Sequence, residues 1–399
     1  MTNIQLSTLI ADSKHCKLSR RQFMQGALAL GISVPAATAL WNREVAAATP
    51  KHGGTFRVAF RDFNTTDTLD PAQANGIFTI QSPHIWGTYL TEITPENRIG
   101  PDSAESWEAT PDAKTWRFKL ASGQEFHNGK SLTATDVISS LNHHRSPDSK
   151  SGGKALLGDV DSIEADGKDV VVIKMKVGTA DLPFLLADYH FAIMPDDGSG
   201  KVDATSGIGA GPYRITAFQP GVTAEFAKHD RYHRETYFDA IQILGINDVT
   251  ARMNALVSDV VDVIADPDPK VVEMLKGAAM EIDVVPSGTQ ITMDMHCDVA
   301  PFNDNNVRLA LKYALDRRSV LEKIAFGYGT LGNDHPVGPN MPYQADLEQR
   351  EYDPEKAKFY LKKAGAEGLS VELSVGDAVY PGAVDMGNLY QQSAAKAGI

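Results

Sequence analysis

Cysteine is nearly absent from this chain of 399 residues, which contains only Cys16 and Cys297. Cys16 lies in an N-terminal stretch with the composition of a removable leader, so one cysteine is expected in the mature protein. A single cysteine excludes an intrachain disulfide. Cys297 follows the alternating run Thr292-Met293-Asp294-Met295-His296, and we predict that it is a strand residue rather than a nucleophile.

A hydrophobic run long enough to cross a membrane is also missing. The apolar run Gly26 to Leu40 contains small and polar residues and Pro35, and it falls short of the roughly 20 apolar residues of a membrane helix. Arg20-Arg21 precedes this run, and Ala46-Ala47-Ala48 follows it. This order predicts a twin-arginine signal peptide over residues 1–48, and the alternative is an amphipathic surface helix or a disordered tail. The mature protein is therefore expected outside the cytoplasm.

Positive charge is scarce, since 38 Lys and Arg residues stand against 51 Asp and Glu residues. The formal net charge is −13, and removal of the leader, which holds more bases than acids, makes the mature chain more negative. An acidic surface repels phosphates, which argues against nucleic acids and anionic lipids as partners. The length is sufficient for two or three hydrophobic cores.

Recognisable catalytic motifs are missing as well. The sequence contains no H-E-x-x-H, no G-x-S-x-G, no P-loop and no cluster of cysteine and histidine. Gly207-Ile208-Gly209-Ala210-Gly211 is similar to a dinucleotide-binding turn, but Pro212 takes the place of the third glycine and Tyr213-Arg214-Ile215 predicts a strand. We interpret this segment as a glycine-rich connection, and we predict neither a catalytic residue nor a cofactor.

Two histidine pairs are the remaining candidates for a metal site. His143 and His144 are adjacent on a predicted helix, where their side chains point about 100° apart and do not readily share one ion. His229 and His233 lie four residues apart, but a polar, loop-like segment separates them. We therefore predict no metal site.

Strand and helix patterns alternate along the rest of the chain. Thr55 to Phe60 predicts a first strand, and Thr115 to Leu120 alternates apolar and basic residues with the period of a half-buried strand. Asp169 to Val177 shows a similar alternation. Thr133-Ala134-Thr135-Asp136 has the form of a capping box, which predicts a helix start. This mixture predicts an α/β fold.

Aspartates mark the expected helix starts in the second half of the chain. Asp248, Asp304 and Asp353 each precede an apolar pattern with helical spacing, and Gly365 is placed to end the helix that begins after Asp353. Strands are predicted at Val260 to Ala265 and at Leu369 to Val375. A final helix is predicted over roughly Ala383 to Ala397.

From Gly53 to Ile399 the sequence resembles solute-binding protein family 5, the dipeptide, oligopeptide and nickel type. The similar blocks occur in the family's order: Thr68-Leu69-Asp70-Pro71-Ala72, Glu105-Ser106-Trp107-Glu108, Lys114 to Leu120, Phe126 to Val137, Gly209-Ala210-Gly211-Pro212-Tyr213, Pro301-Phe302-Asn303-Asp304 with Val307-Arg308, Ala314-Leu315-Asp316-Arg317, and Tyr352 to Ala357. Asn128, Ser131 and Ser258-Asp259 depart from the family pattern at surface or turn positions.

The resemblance implies a two-lobed periplasmic-binding-protein fold of type II with an extra inserted domain. Residues 53–94 and 207–290 are then expected to form lobe I, residues 95–206 the inserted domain, and residues 291–399 a second lobe. In the family, a further segment completes the second lobe, so this lobe is expected to be incomplete here. In such proteins the ligand lies in a cleft that closes by hinge motion.

The resemblance also implies a role as the exported, monomeric, periplasmic substrate-binding component of an ABC importer, which delivers a peptide or a similar polar solute to an inner-membrane permease. In peptide-binding relatives the loop after the L-D-P block contacts the ligand, which makes Asn75, Gly76 and Ile77 the candidate ligand-binding residues; the alternative is an ordinary solvent loop. Trp107 and Trp116 are expected in the core, and the alternative is that they line the cleft. The other hypotheses are a receptor for a nickel chelate or another small solute, an exported peptidase, and a chaperone-like or signalling receptor.

Overall fold

The computed structural model describes residues 20–30, 32–38, 51–95, 97–278, 280–285, 288–338, 341, 343–376 and 380–399. Its strands are β1 Thr55–Phe60, β2 Thr91–Ile93, β3 Ile99–Pro101, β4 Ala104–Ala109, β5 Thr115–Leu120, β6 Val160–Ala165, β7 Val170–Met175, β8 Tyr213–Gln219, β9 Thr223–Lys228, β10 Ala240–Gly245 and β11 Val263–Ile264. Its helices are α1 Arg20–Ala29, α2 Ile77–Gln81, α3 Pro83–Trp86, α4 Ala134–Arg145, α5 Leu182–Leu185, α6 Val249–Val257, α7 Val272–Gly277, α8 Asn305–Ala314, α9 Arg317–Lys323, α10 Pro354–Lys363 and α11 Ala383–Ala395.

The leader is described only in part. Helix α1 begins at Arg20, and its Phe23 and Ala27 pack with Ala37. The predicted cleavage position after Ala48 lies outside the described residues. None of the helices in the described part of the chain has the length and apolar content that a membrane crossing requires.

The first sheet has five strands in the order β11-β1-β10-β9-β8. Strand β1 lies between β10 and β11 and runs parallel to both, whereas β9 and β8 continue the sheet in antiparallel pairing. Its buried side chains include Val58, Phe226 and Ile243, which pack with Phe78 of α2 and Trp86 of α3. Helices α2 and α3 are therefore fixed against the sheet by apolar burial, and they carry the loop that contains the candidate ligand-binding residues.

The second sheet has four antiparallel strands in the order β4-β5-β7-β6, formed within residues 104–175. Strand β5 has the predicted limits, and its Trp116, Phe118 and Leu120 are buried on one face. The core position of Trp116 is confirmed, and Trp107 packs against the same cluster. Alternation thus indicated both the strand and its buried face. A separate two-stranded sheet pairs β2 with β3.

The predicted helix starts are confirmed. Asp248, Asp304 and Asp353 each accept a hydrogen bond from a backbone N–H in the first turn, at 2.7, 2.7 and 2.8 Å. Each bond satisfies a donor that has no partner inside its helix. Helices α8, α10 and α11 then pack together through Ala314, Ala357 and Ala394.

Two predicted strands are wrong. Leu369 to Val375 and the run from Thr292 to Cys297 have no strand assignment, and Cys297 is exposed. A strand exists only where a neighbouring backbone accepts and donates its ladder hydrogen bonds, and alternation alone does not supply that neighbour. The strand predicted at Val260 to Ala265 is reduced to Val263–Ile264 beside β1.

Candidate functional site

The Leu69-Asp70-Pro71 block builds a rigid turn after the first strand. Asp70 accepts a hydrogen bond from the backbone N–H of Ala72 at 2.9 Å and caps the 3-10 turn Pro71–Gln73. Nε2 of His143 donates to Oδ1 of Asp70 at 2.9 Å, and the Gln73 amide donates to Oδ2 at 3.1 Å. Burial disfavours the ionised carboxylate, but these hydrogen bonds outweigh it and lower the pKa of Asp70 to about 2.

The loop after this turn is held by Thr79 of helix α2. The backbone N–H groups of Asn75 and Gly76 both donate to Oγ1 of Thr79 at 3.0 Å, and the hydroxyl donates to the Gly76 carbonyl at 2.9 Å. A Cβ at Gly76 would lie 2.9 Å from the Asp62 carbonyl oxygen, so glycine is required by this close approach. The N–H groups of Asn75 and Gly76 are thus already used inside the loop.

The three candidate ligand-binding residues occupy different environments. Asn75 is exposed and lines a depression of about 430 Å³, whereas Gly76 is buried and Ile77 is half-buried at the start of α2. Residues from two parts of the chain line the depression: Thr66, Asp67, Thr68, Ala72, Gln73, Ala74, Asn75, Thr79, Lys150 and Gly152. Of the three, only Asn75 lines the depression.

Sequence reasoning missed Asp67 and Lys150 as parts of this depression. Asp67 is 8% exposed, and its Oδ2 accepts the backbone N–H of Asn64 at 2.9 Å. Burial raises the pKa of Asp67, the Asn64 hydrogen bond opposes this shift, and the nearby carboxylate of Asp62 adds to it. Lys150 is exposed and follows α4 in the chain. No local motif links these two residues, so no signal in the sequence indicated their proximity.

A buried histidine lies behind the wall that carries Lys150 and Gly152. Nδ1 of His144 is 2.7 Å from the Ser151 hydroxyl, which also accepts the N–H of Gly153. His144 is fully buried, and this burial lowers its pKa to about 3. The ring of His190 packs against Gly152, where a Cβ would lie 2.7 Å from its Nε2. The rings of His144 and His190 thus form a close-packed support for the depression.

The longest family-like block, Phe126 to Val137, has a structural role. Its capping box is formed as predicted, because the Asp136 carboxylate accepts the N–H of Thr133 at 2.9 Å. Asp136 is fully buried, and Lys130 Nζ lies 2.6 Å from its Oδ1. The backbone N–H of Asp196 donates to the same carboxylate at 2.7 Å. The charge of Asp136 is therefore compensated inside the domain.

The glycine-rich segment Gly209-Ala210-Gly211 is a packing element. A Cβ at Gly209 would lie 2.2 Å from the Trp86 carbonyl oxygen, and one at Gly211 would lie 2.3 Å from the Gly87 carbonyl oxygen. Tyr213 begins strand β8, as predicted. The segment therefore brings backbone against backbone at the edge of the first sheet.

The histidines in this part of the fold bond the backbone. His127 Nε2 donates to the Gly211 carbonyl at 3.1 Å, His229 Nδ1 donates to it at 3.2 Å, and burial lowers the pKa of His127 to about 4. Within the part of the chain that the structure describes, no group of three or more His, Cys, Asp or Glu residues is arranged to hold a metal ion.

Comparison with known proteins identifies the family. The model of the bacterial extracellular solute-binding proteins, family 5 Middle, matches residues 98–399. The probable peptide ABC transporter periplasmic-binding protein y4tO of Sinorhizobium fredii is 27% identical over 390 residues, which cover 89% of this chain and 70% of that relative. The chain spans 54%, 62% and 53% of three further curated relatives.

Solved structures show the same fold. The periplasmic binding protein AgaA of A. tumefaciens, in complex with agropinic acid, has a TM-score of 0.74 at 24% identity and covers 87% of this chain and 71% of its own. NikZ of Campylobacter jejuni, in complex with Ni(L-His), has a TM-score of 0.72 at 19% identity, with 86% and 72% covered. The α/β fold of the type II periplasmic binding proteins is thus confirmed, and the chain belongs to the bacterial extracellular solute-binding proteins, family 5.

Proposed function

We propose that the protein is the substrate-binding component of an ABC importer and that it captures peptides or a similar polar solute. The observation that carries this proposal is the polar depression beside the L-D-P turn, to which Asn75 contributes an exposed amide. A concave site lined by a few convergent polar groups is typical of small-ligand recognition. Membership of a solute-binding family supports the same function.

The proposal includes a location and a division of the chain. Residues 1–48 direct export by the twin-arginine pathway, and the mature protein works in the periplasm as a monomer with an inner-membrane permease. Residues 53–94 and 207–290 form lobe I, residues 95–206 the inserted domain, and residues 291–399 belong to lobe II. The two separate sheets support this division, since one holds β1 and β8 to β11 and the other holds β4 to β7.

Within this site Asn75 is the proposed ligand contact, and Gly76 and Ile77 shape the loop. Strand addition through the N–H groups of Asn75 and Gly76 is disfavoured, because Thr79 already accepts both of them. We therefore propose that side chains, rather than these backbone donors, provide the hydrogen bonds to the ligand.

A thermal-shift experiment on the mature protein tests the proposal. The ligands are di- to hexapeptides, nickel–histidine and a set of sugars, because a ligand that binds only the folded state raises the melting temperature by mass action. A shift with peptides supports the proposal. A shift with nickel–histidine or a sugar, and none with any peptide, would replace it with the small-solute alternative. A chromogenic peptide added to the same protein tests the peptidase alternative, which requires turnover.

A further inference from the structure

The depression contains two opposite charges that have no ionic partner in the protein. Asp67 and Lys150 both line it, and neither forms an ion pair with any residue that the structure describes. Two other buried carboxylates of this fold have a cation partner, as Asp70 has in His143 and Asp136 has in Lys130. Asp67 and Lys150 are therefore not neutralised by a side chain of the described chain.

Asp67 is the more informative of the two, because it is only 8% exposed. A carboxylate withdrawn from water is stabilised by hydrogen bonds and by an opposite charge. One backbone N–H, that of Asn64, donates to its Oδ2 at 2.9 Å. No lysine, arginine or histidine of the described chain supplies the opposite charge. A ligand with a positive group is suited to that position.

Lys150 offers the complementary charge from the other part of the chain. It lies two residues before the 3-10 turn Gly152–Leu157, and its side chain makes no hydrogen bond within the described residues. An ammonium group on a flexible stem binds carboxylates as a point charge. Thr66, Thr68, Gln73 and Asn75 provide neutral hydrogen-bonding groups in the same depression.

We infer that Asp67 and Lys150 form a two-charge recognition site, in which Asp67 binds the ammonium group of the ligand and Lys150 binds its carboxylate. The inference rests on the proposed function and names its ligand class, a small solute with one positive and one negative group. The volume of about 430 Å³ lies in the lower half of the range for small-ligand pockets, about 300 to 1,000 Å³. A sugar would leave both charges of the site without a partner.

Matched substitutions separate charge from structure. Asp67→Asn keeps an oxygen that accepts the Asn64 N–H and removes only the negative charge, and Lys150→Gln removes the positive charge from an exposed side chain. The controls are Asp159→Asn and Lys168→Gln, at exposed residues that do not line the depression. All four variants are expected to keep the melting temperature of the unliganded protein.

Titration calorimetry with alanylalanine, its N-acetyl derivative and its amide tests the assignment. On the wild type, either blocking group is expected to weaken binding by roughly 10- to 100-fold, since it removes one partner of a charge-assisted hydrogen bond. Asp67→Asn is expected to lose a similar factor for the free dipeptide and to show no further loss on acetylation. Lys150→Gln is expected to lose a similar factor for the free dipeptide and to show no further loss with the amide. The control variants are expected to bind all three ligands as the wild type does.

The outcomes distinguish the inference from the proposed function. If the wild type binds the free and blocked dipeptides equally, or if Asp67→Asn and Lys150→Gln bind the free dipeptide as the wild type does, the two-charge site is wrong and the transport receptor stands. If the wild type binds neither these dipeptides nor any longer peptide, both are wrong. Because Lys150 is exposed, its variant remains a valid test even if Asp67→Asn fails to fold.

Discussion

Nε2 of His143 donates to Oδ1 of Asp70 at 2.9 Å and so joins helix α4 to the turn that precedes the candidate ligand-binding loop. The two residues are contributed by different parts of the fold, and the side chain of Asp70 is 11% exposed. The pair therefore connects the position of the loop to the packing of the four-stranded sheet, on which α4 lies.

The Asp70 link predicts a loss of stability at low pH. Because the pKa of Asp70 is lowered to about 2 in the folded protein, its contribution is present above the unfolded pKa of about 4 and is lost as pH falls toward 2. Asp70→Asn is expected to lower the free energy of unfolding by about 2 kcal/mol at pH 7. Urea unfolding measures this, with Asp159→Asn as the control. An unchanged unfolding midpoint for Asp70→Asn would show that the hydrogen bond between Asp70 and His143 does not contribute to stability.

His144 predicts a second pH dependence, at higher pH. Burial lowers the pKa of His144 to about 3. The neighbouring His143 and His190 also lower this pKa, whereas the carboxylates of Asp70 and Asp188 raise it. The unfolded chain takes up the proton below about pH 6.5, so stability falls as pH drops from 6.5 toward 3. Between pH 7.5 and 5 the expected loss is about 2 kcal/mol. His144→Gln removes this part of the slope, which urea unfolding at several pH values measures; an identical slope in both proteins contradicts the assignment.

Gly76 is predicted to tolerate no side chain. In Gly76→Ala the new Cβ would lie 2.9 Å from the Asp62 carbonyl oxygen, which is backbone and cannot rotate away. The loop must move, and we expect a loss of about 1 to 3 kcal/mol in the free energy of unfolding together with weaker ligand binding. Gly277→Ala is the matched control, because nothing lies within 4 Å of its Cβ and alanine favours the helix. Equal stability of the two variants would refute the steric argument.

Lys130 is predicted to be needed for folding of the sheet domain and not for ligand recognition. Lys130→Met leaves the fully buried Asp136 without a cation. We expect a cost of about 3 kcal/mol, the low end for a buried charge that loses its partner, because three hydrogen bonds to Asp136 remain and the Lys130 side chain is 40% exposed. Lys119→Gln breaks an exposed pair with Glu105 and should cost less than about 1 kcal/mol. Thermal unfolding compares the stability of the two variants. A similar loss of stability in both would argue against a stabilising pair of Lys130 and Asp136.

Asn75 is predicted to act on binding alone. Its side chain is exposed in the depression, so Asn75→Ala should weaken ligand binding by roughly 3- to 10-fold, the value of one hydrogen bond, without a change in melting temperature. Asn254→Ala, at an exposed position of α6, serves as the control. A ligand affinity equal to that of the wild type would place the loop outside the site.

The sequence by itself determined the elements whose causes are local. Asp248, Asp304 and Asp353 cap helices because each side chain bonds a backbone N–H only two or three residues away. Strand β5 was predictable because alternation with a period of two reflects burial on one face. The ordered family-like blocks indicated the fold for a similar reason, since several of them hold a local cap or close approach, as at Asp70, Asp304 and Gly209.

Only the tertiary structure decided where partners from distant segments meet. The pattern of Leu369 to Val375 predicted a strand that the structure does not form, because pairing depends on a neighbouring backbone that the segment itself does not encode. In the same way Gly76 and Ile77 are adjacent to Asn75 in sequence but do not share its exposure to the depression, whereas Asp67 and Lys150 are far apart and line it together. The depression is formed by tertiary packing, which brings Asp67 and Lys150 to the same site although no sequence motif connects them.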